Sequence, residues 1–188
     1  MQGLHSIEGY AIVSADGMIA DGNGIMPDSI QNQADQRFLQ AAMDRAAVIV
    51  HGRRSHERGP RAAKRKRLVV TRQVPALAAD PSQPNAFLWN PAGADLATAM
   101  GALDVGPGPI AVIGGTAVFD LFLPRYDVFH LTRAARAKIP GGQPLFSALS
   151  PTTTAEDVLI RYGLQPSPPH DIDSAAAITL TNFQRIQQ

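Results

Sequence analysis

The stretch Ile110-Ala111-Val112-Ile113-Gly114-Gly115 constrains the fold of this chain more than any other. It begins as a short apolar run after Pro109, with the length of a strand buried on both faces. It then breaks at two glycines and resumes with Val118, Phe119, Leu121, Phe122 and Leu123, apolar residues at helical spacing that Pro124 closes. A strand that passes through Gly-Gly into a helix lets the backbone approach a ligand, because no Cβ stands in the way. The helix that follows aims unpaired N–H groups and its positive dipole end at the gap, a setting that suits a pyrophosphate. A tight strand-to-helix turn without a ligand fits the same residues.

The alternation of strand and helix patterns runs through most of the chain. Gly9–Ser14, Ala46–Val50, Leu68–Thr71, Ala86–Trp89 and Val128–Thr132 read as further strands. Gln33–Arg45 reads as a helix with Asn32 at its N-cap, and Phe38, Leu39, Ala42, Met43 and Ala46 form its apolar stripe. A second helix covers Asp95–Leu103. Between the first strand and first helix, Ala15–Gly24 is rich in Gly, Asp and Asn, as expected of a mobile flap with turns at positive φ. Strands separated by helical patterns predict βαβ units and a largely parallel sheet. The tail changes character: Asp157–Tyr162 and Ala177–Phe183 read as strands joined by a Pro-rich loop, Gln165–His170. They predict an antiparallel hairpin at one edge of the sheet. No repeat or linker divides residues 1–188, so a single domain is expected.

Composition narrows the chemistry. The absence of cysteine excludes disulfides, thiolate metal sites and a thiol nucleophile. No apolar stretch is long enough to span a bilayer, and the first residues lack the features of a signal peptide, so a cytoplasmic protein is expected. The histidines show no metal-ligand spacing, and no metal is assigned. The net charge of +1 hides a basic cluster: Arg53, Arg54, Arg58, Arg61, Lys64, Arg65, Lys66 and Arg67, with Glu57 the only acid among them. Such a cluster reads as an anion site or as a solvated loop. It carries no aromatic residue for base stacking and the rest of the chain is not basic, which argues against nucleic acid.

Four segments, in this order, resemble the dihydrofolate reductase superfamily, most closely stand-alone relatives of the reductase domain of bifunctional riboflavin-biosynthesis proteins. Ser14-Ala15-Asp16-Gly17-Met18-Ile19-Ala20 resembles the S-x-D-G-x-I-A signature of the riboflavin-type reductases. Val48–Gly52 followed by Arg53-Arg54-Ser55-His56-Glu57 is similar to the superfamily's phosphate-site strand and loop. Val112-Ile113-Gly114-Gly115 with Phe119, Leu123 and Pro124 resembles its pyrophosphate turn and helix. Phe129-His130-Leu131-Thr132 and Gly142-Gln143-Pro144-Leu145-Phe146 resemble its late strand and a G-x-P-L-F ending.

This resemblance implies a three-layer α/β fold of the dihydrofolate-reductase type, with the C-terminal hairpin expected above. It implies NADPH as cofactor, a small heterocyclic substrate and a homodimer. Gly114, Gly115, Thr116 and Ala117 would take the pyrophosphate on backbone N–H groups, with Arg53, Arg54 and Ser55 holding phosphates from the other side. Thr71 and Arg72 would meet the adenosine 2′-phosphate. Ala11, Ile19, Gly52 and Phe119 complete the expected cofactor contacts. Ser14, Met26, Asp28, Phe38 and Thr132 are the expected substrate contacts, and Asp35 and Asp16 the acid/base candidates.

The same residues allow plainer readings: an Asx-turn for Asp16, an exposed loop acid for Asp28, a solvated first-turn helix acid for Asp35. Two departures bear on the substrate. Dihydrofolate reductases carry a carboxylate four residues before a phenylalanine on the first helix; here that position is Ala34. Asp35 is therefore either rotated by about 100° from that place, or brought into it by a register shift with Thr132 as partner. The lysine and glutamate usual in riboflavin-type enzymes are replaced by Met18 and Ile113. The functional expectation is an NADPH-dependent reductase of a ribosylaminopyrimidine. Dihydrofolate reduction and a non-catalytic NADP-binding module are the alternatives.

Overall fold

The structure of the chain, a computed structural model, describes residues 5–54 and 61–186. In order, the elements are β1 (Ile7–Ser14), β2 (Met18–Ala20), α1 (Gln33–Arg45), β3 (Val48–Gly52), β4 (Arg67–Val70), β5 (Leu77–Ala79), β6 (Ala86–Trp89) and α2 (Leu96–Ala102). They continue with β7 (Ile110–Gly114), α3 (Thr116–Phe122), β8 (Val128–Ala134), β9 (Gln143–Pro144), α4 (Ala155–Arg161), β10 (Leu164–Pro166), β11 (His170–Asp173) and β12 (Ile178–Arg185).

Among the described residues the main sheet has the order β10-β12-β8-β1-β7-β3-β4-β6-β5, with β11 also paired to β12. The run from β8 to β6 is parallel, and antiparallel pairs occur at the two edges. The period-2 alternation of a strand sorts residues between two faces. On β7, Ile110 and Val112 join the large core with α2, α3 and α4, whereas Ala111 and Ile113 pack with α1 on the opposite face. Phe119, Phe122, Tyr126, Phe129, Phe146, Phe183 and Trp89 fill the first face and are fully buried. The face under α1 is more polar: His130 and Thr132 of β8 alternate with the core residues Phe129 and Leu131.

α1 begins where the sequence predicts. The Asn32 side chain accepts from Ala34 N–H at 2.8 Å and from Asp35 N–H at 3.2 Å, so two first-turn donors are satisfied and the helix register is fixed.

The tail differs from expectation. Asp157–Tyr162 is not a strand; Asp157–Arg161 lies in α4 with Tyr162 as its C-cap, and the helix is closed at its start by a capping box between Thr154 and Asp157. Val158 and Leu159 are buried while Ile160 and Tyr162 stay exposed, so an apolar run that reads as a buried strand is one helix face plus two solvent-facing residues. The antiparallel partners of β12 are β10 and β11, from the Pro-rich segment read as a loop. The flap segment and the Pro140–Pro144 loop also pair with each other, as β2 and β9, and β5 was not expected.

Gly9 lies in the middle of β1, between β7 and β8. A Cβ there would fall 2.3 Å from the Phe129 ring and 2.9 Å from the Tyr126 ring. Gly9→Ala is therefore an overpacking substitution, expected to cost about 1–3 kcal/mol and to lower Tm by roughly 2–12 °C in a chain of this size. A thermal melt of the purified variant checks it, and an unchanged Tm would mean that the two rings can move aside.

Candidate active site

Parallel strands end on one side of the sheet, and ligands of open α/β sheets bind beyond those ends. Here the carboxyl ends of β3, β4 and β7 open into a cleft of about 1430 Å³ that continues between α1 and the β2/β9 pair. Pockets for a single drug-sized ligand are about 300–1,000 Å³, so this cleft has room for two molecules.

One half gathers backbone turns and basic side chains. β7 turns through Gly114, whose φ of +140° is a backbone conformation that favours glycine. Gly115 is the N-cap of α3 and has no capping side chain, and a Cβ on it would meet no protein atom within 4 Å. Of the first-turn N–H groups, that of Val118 donates to the Gly115 carbonyl at 2.9 Å, while Gly115, Thr116 and Ala117 border the cleft. The Thr116 hydroxyl is already used, donating to the Pro144 carbonyl of β9. Opposite this turn, a Cβ on Gly52 would lie 3.8 Å from the Gly114 carbonyl oxygen, so the ends of β3 and β7 approach closely. Arg53 and Arg54 follow Gly52, and Thr71 and Arg72 follow β4; all four line the cleft. Thr71 is buried, and its hydroxyl oxygen accepts the Gln73 N–H at 3.1 Å, which shapes the turn that carries Arg72.

The other half is an apolar wall with one carboxylate. Asp35, on the first turn of α1, is only 8% exposed. Burial pushes its carboxyl above the usual aspartate range, and a hydrogen bond with the Thr132 side chain opposes part of that shift. Ile12, Ile19, Ala20, Met26, Phe38 and Leu39 line the cleft along with it. Ala34 points elsewhere, to an outer groove shared with Ile172 and Asp173. The register in which Asp35 partners Thr132 is thus the one that the helix adopts.

Three expected site residues do not line this cleft. Ser14 is fully buried, donates to Asp16 and accepts the Met18 N–H at 3.0 Å. Asp16 turns to the protein's own backbone, accepting the Ile139 N–H at 3.1 and 3.2 Å. Partial burial pushes the Asp16 carboxyl up, but the Ser14 hydroxyl, the Ile139 N–H and Lys138 outweigh this and hold it below the ordinary value. Both residues fasten a turn instead of facing a ligand. Asp28 is exposed, outside the cleft lining, and bonded to the Gln31 amide at 3.0 Å. Ser55 lies outside the described residues. Ala11, Ile19, Gly52, Arg53, Arg54, Thr71, Arg72, Gly114, Gly115, Thr116, Ala117 and Phe119 all line the cleft, as do Met26, Phe38 and Thr132.

Sequence reasoning missed Tyr10 and His130, which also line it. They precede Ile12 and Thr132 by two residues on β1 and β8, so strand alternation from Thr132 would have pointed to His130. Gln36, Gln40 and Met43 of α1 line the cleft as well and were missed.

No protein-family profile and no curated protein sequence matches the chain. Solved structures do. A candidate riboflavin biosynthesis protein from Shewanella sp. PV-4 superposes with a TM-score of 0.64 at 19% identity, covering 97% of this chain and 99% of that one. Dihydrofolate reductase from Enterococcus faecalis, in complex with NADP(H) and RAB-propyl, gives 0.63 at 16% identity and 97% coverage of both chains. The Thermotoga maritima diaminohydroxyphosphoribosylaminopyrimidine deaminase/5-amino-6-(5-phosphoribosylamino)uracil reductase gives 0.61 at 14% identity, covering 97% of this chain and 57% of that one. The strand order, the Gly-Gly turn and these superpositions together identify the fold: this chain adopts a dihydrofolate-reductase-like fold, a mostly parallel sheet between helices with antiparallel strands at its C-terminal edge.

Proposed function

We propose that the protein is an NADPH-dependent reductase that passes a hydride to a flat nitrogen heterocycle or its ribosylamine, with a ribosylaminopyrimidine as the first candidate. The observation that carries this reading is one cleft joining an anion-binding half to a buried carboxylate. The residues fit the cofactor: Gly115 faces open space, and three arginines and a threonine stand at neighbouring strand ends. Gly115, Thr116 and Ala117 would hold the pyrophosphate on N–H groups, Arg53 and Arg54 would add charge, and Thr71 and Arg72 would take the 2′-phosphate. When bound, NADPH supplies the hydride.

The chain's own contribution is position and one proton. Asp35 would accept N–H donors from the edge of the acceptor ring and hold the proton that the reduction requires. Phe38 and Met26 would flank the ring, and Ile19 and Ala20 of the flap would exclude water. The full-length likeness to a riboflavin-type protein supports the aminopyrimidine; the Asp35–Thr132 pair on α1 and β8 supports a second reading, a pterin such as dihydrofolate. NADPH oxidation measured with each substrate side by side separates them. Tight NADPH binding without turnover of either would favour a non-catalytic binding module. A homodimer belongs to the same proposal, and sedimentation velocity tests it.

The charge arrangement makes a claim about cofactor choice. A charge-assisted hydrogen bond contributes roughly 1.5–3 kcal/mol, so two of them give a preference for NADPH over NADH of about a hundredfold or more. Arg72→Ala is expected to weaken NADPH about tenfold or more and to leave NADH nearly unchanged. Arg53→Ala weakens both if it meets the shared pyrophosphate. Titration of both cofactors against each variant reads this out, and equal affinity of the unaltered protein for NADH and NADPH refutes the assignment.

Asp35 makes a claim about pH. Its raised pKa means that the carboxyl keeps its proton to higher pH than an ordinary aspartate does. The protonated, donating form is therefore complete below that value and lost as pH rises through it. Turnover is expected to fall along the same limb, and Asp35→Asn to flatten it while lowering kcat/KM by about a hundredfold or more. NADPH affinity of Asp35→Asn should be unaltered. A variant that keeps both the activity and the pH limb would remove Asp35 from the reaction.

A further inference from the structure

Tyr10 and His130, under α1, line the cleft and have no part in the reaction as described above. Tyr10 and His130 are direct neighbours in the β1–β8 register, and Asn182 of β12 is the neighbour of His130 on its other side. The Tyr10 and His130 rings stack, with centroids 4.6 Å apart and planes 18° from parallel. Phe38 of α1 closes over both, 5.9 Å from Tyr10 and edge-on to His130 at 5.3 Å. His130 Nδ1 meets Asn182 Oδ1 at 2.7 Å; an amide oxygen can only accept, so the neutral ring carries its proton on Nδ1. The ring is thus oriented by a stack below, an amide beside it and Phe38 above.

The titratable and charged groups around this ring are Glu8 and Tyr10 from β1 and Arg45 from α1, while β12 offers the uncharged Asn182. Glu8 Oε2 lies 3.9 Å from His130 Nε2, accepts the Tyr10 hydroxyl and pairs with Arg45 at 3.7 Å. Arg45 also donates to the Tyr10 hydroxyl at 3.2 Å. Burial holds the imidazole below its usual pKa, with the Asn182 bond and the Glu8 carboxylate opposing it, so the ring is neutral in neutral solution. It acts by shape more than by charge.

The placement of these rings bears on Asp35. Phe38 follows Asp35 by about one turn of α1, and His130 precedes Thr132 by two residues on the same face of β8. Asp35 over Thr132 and Phe38 over His130 are therefore adjacent rungs between one helix and one strand. The ring rung is thus a second contact between α1 and β8 at this turn, beside the Thr132 hydroxyl.

We propose that His130 is a positioning residue for Asp35: through Phe38 its ring holds the first turns of α1 against β8 and keeps the carboxyl over Thr132, inside the apolar wall. This deepens the reading of Asp35 as the acceptor's anchor and rests on it. The test follows the Asp35 titration by carboxyl ¹³C NMR in the cofactor-free protein, beside turnover. His130→Gln keeps an amide for Asn182 but loses the ring, and the Asp35 midpoint is expected to fall toward the ordinary aspartate range. His130→Phe keeps a ring, and the midpoint is expected to stay raised. In turnover, His130→Gln should raise KM for the acceptor about three- to tenfold with NADPH affinity unaltered, and His130→Phe should restore it. A folded His130→Gln with an unaltered Asp35 midpoint overturns the proposal, as does an equal fall in His130→Phe. If circular dichroism shows that His130→Gln does not fold, Phe38→Leu removes the ring from the helix side and must produce the same fall. The NMR titration needs no turnover: an inactive unaltered protein would count against the reductase reading, and the Asp35 midpoints would still decide the role of His130.

Discussion

A carboxyl group set in an apolar wall is costly unless a hydrogen-bonding partner meets it, and the Asp35–Thr132 contact is where the cleft depends on the rest of the fold. Two independent choices of register produce it. The Asn32 cap fixes where α1 starts, and so which residue of its first turn faces the sheet. The β1–β8 pairing sets Ile12 beside Thr132 and Tyr10 beside His130. A slip of one residue in β8 would turn Thr132 and His130 into the aromatic core and bring Phe129 and Leu131 under α1. That core holds Phe129 fully buried against Phe119, Tyr126 and Phe146, which makes the slip costly. The apolar face thus specifies the geometry of the polar one.

The same reasoning explains what was legible in the sequence. The Gly-Gly turn, the parallel strands and the Asn32 cap could be read because each rests on local chemistry: a missing Cβ, a short apolar run, a side-chain oxygen at a helix start. α4 was misread because seven residues give barely two turns, too few for Val158 and Leu159 to show a helical period against Ile160 and Tyr162. Its capping box, Thr154 with Asp157, was the local signal available.

Residues that serve the backbone were harder to tell from residues that serve a ligand. Ser14 and Asp16 are short polar side chains in a tight turn, and that description holds whether the partner is a substrate or the N–H of Met18 or Ile139. The basic stretch raised the same ambiguity in charge. Arg53 and Arg54 face the cleft, but Arg65 turns inward to Asp44 and to Gln40 at 3.1 Å, and Arg67 is buried beside His51 at 3.3 Å. Burying an arginine requires partners on its donors, and those partners come from α1 and β3, far away in sequence. A charge count along the chain cannot divide the cluster; the tertiary neighbours do.

Satisfied groups of this kind also link the two halves of the cleft. Thr116 opens α3 beside the Gly-Gly turn, where a hydroxyl would ordinarily be credited with binding an anion. Its proton is committed to Pro144, and Pro144 pairs with Met18 of β2. What the turn can still offer an anion is its backbone N–H groups, while the hydroxyl holds in place the strand pair that carries Ile19 and Ala20 into the acceptor half. Arg54 and Gln143 approach the same flap, each within 3.2 Å of where a Cβ on Gly24 would stand. Two residues expected to meet phosphate, Arg54 and Thr116, are thus also ones against which the flap is packed. The two halves share a wall, and a side chain on that wall has to be judged by which of its atoms are still unused.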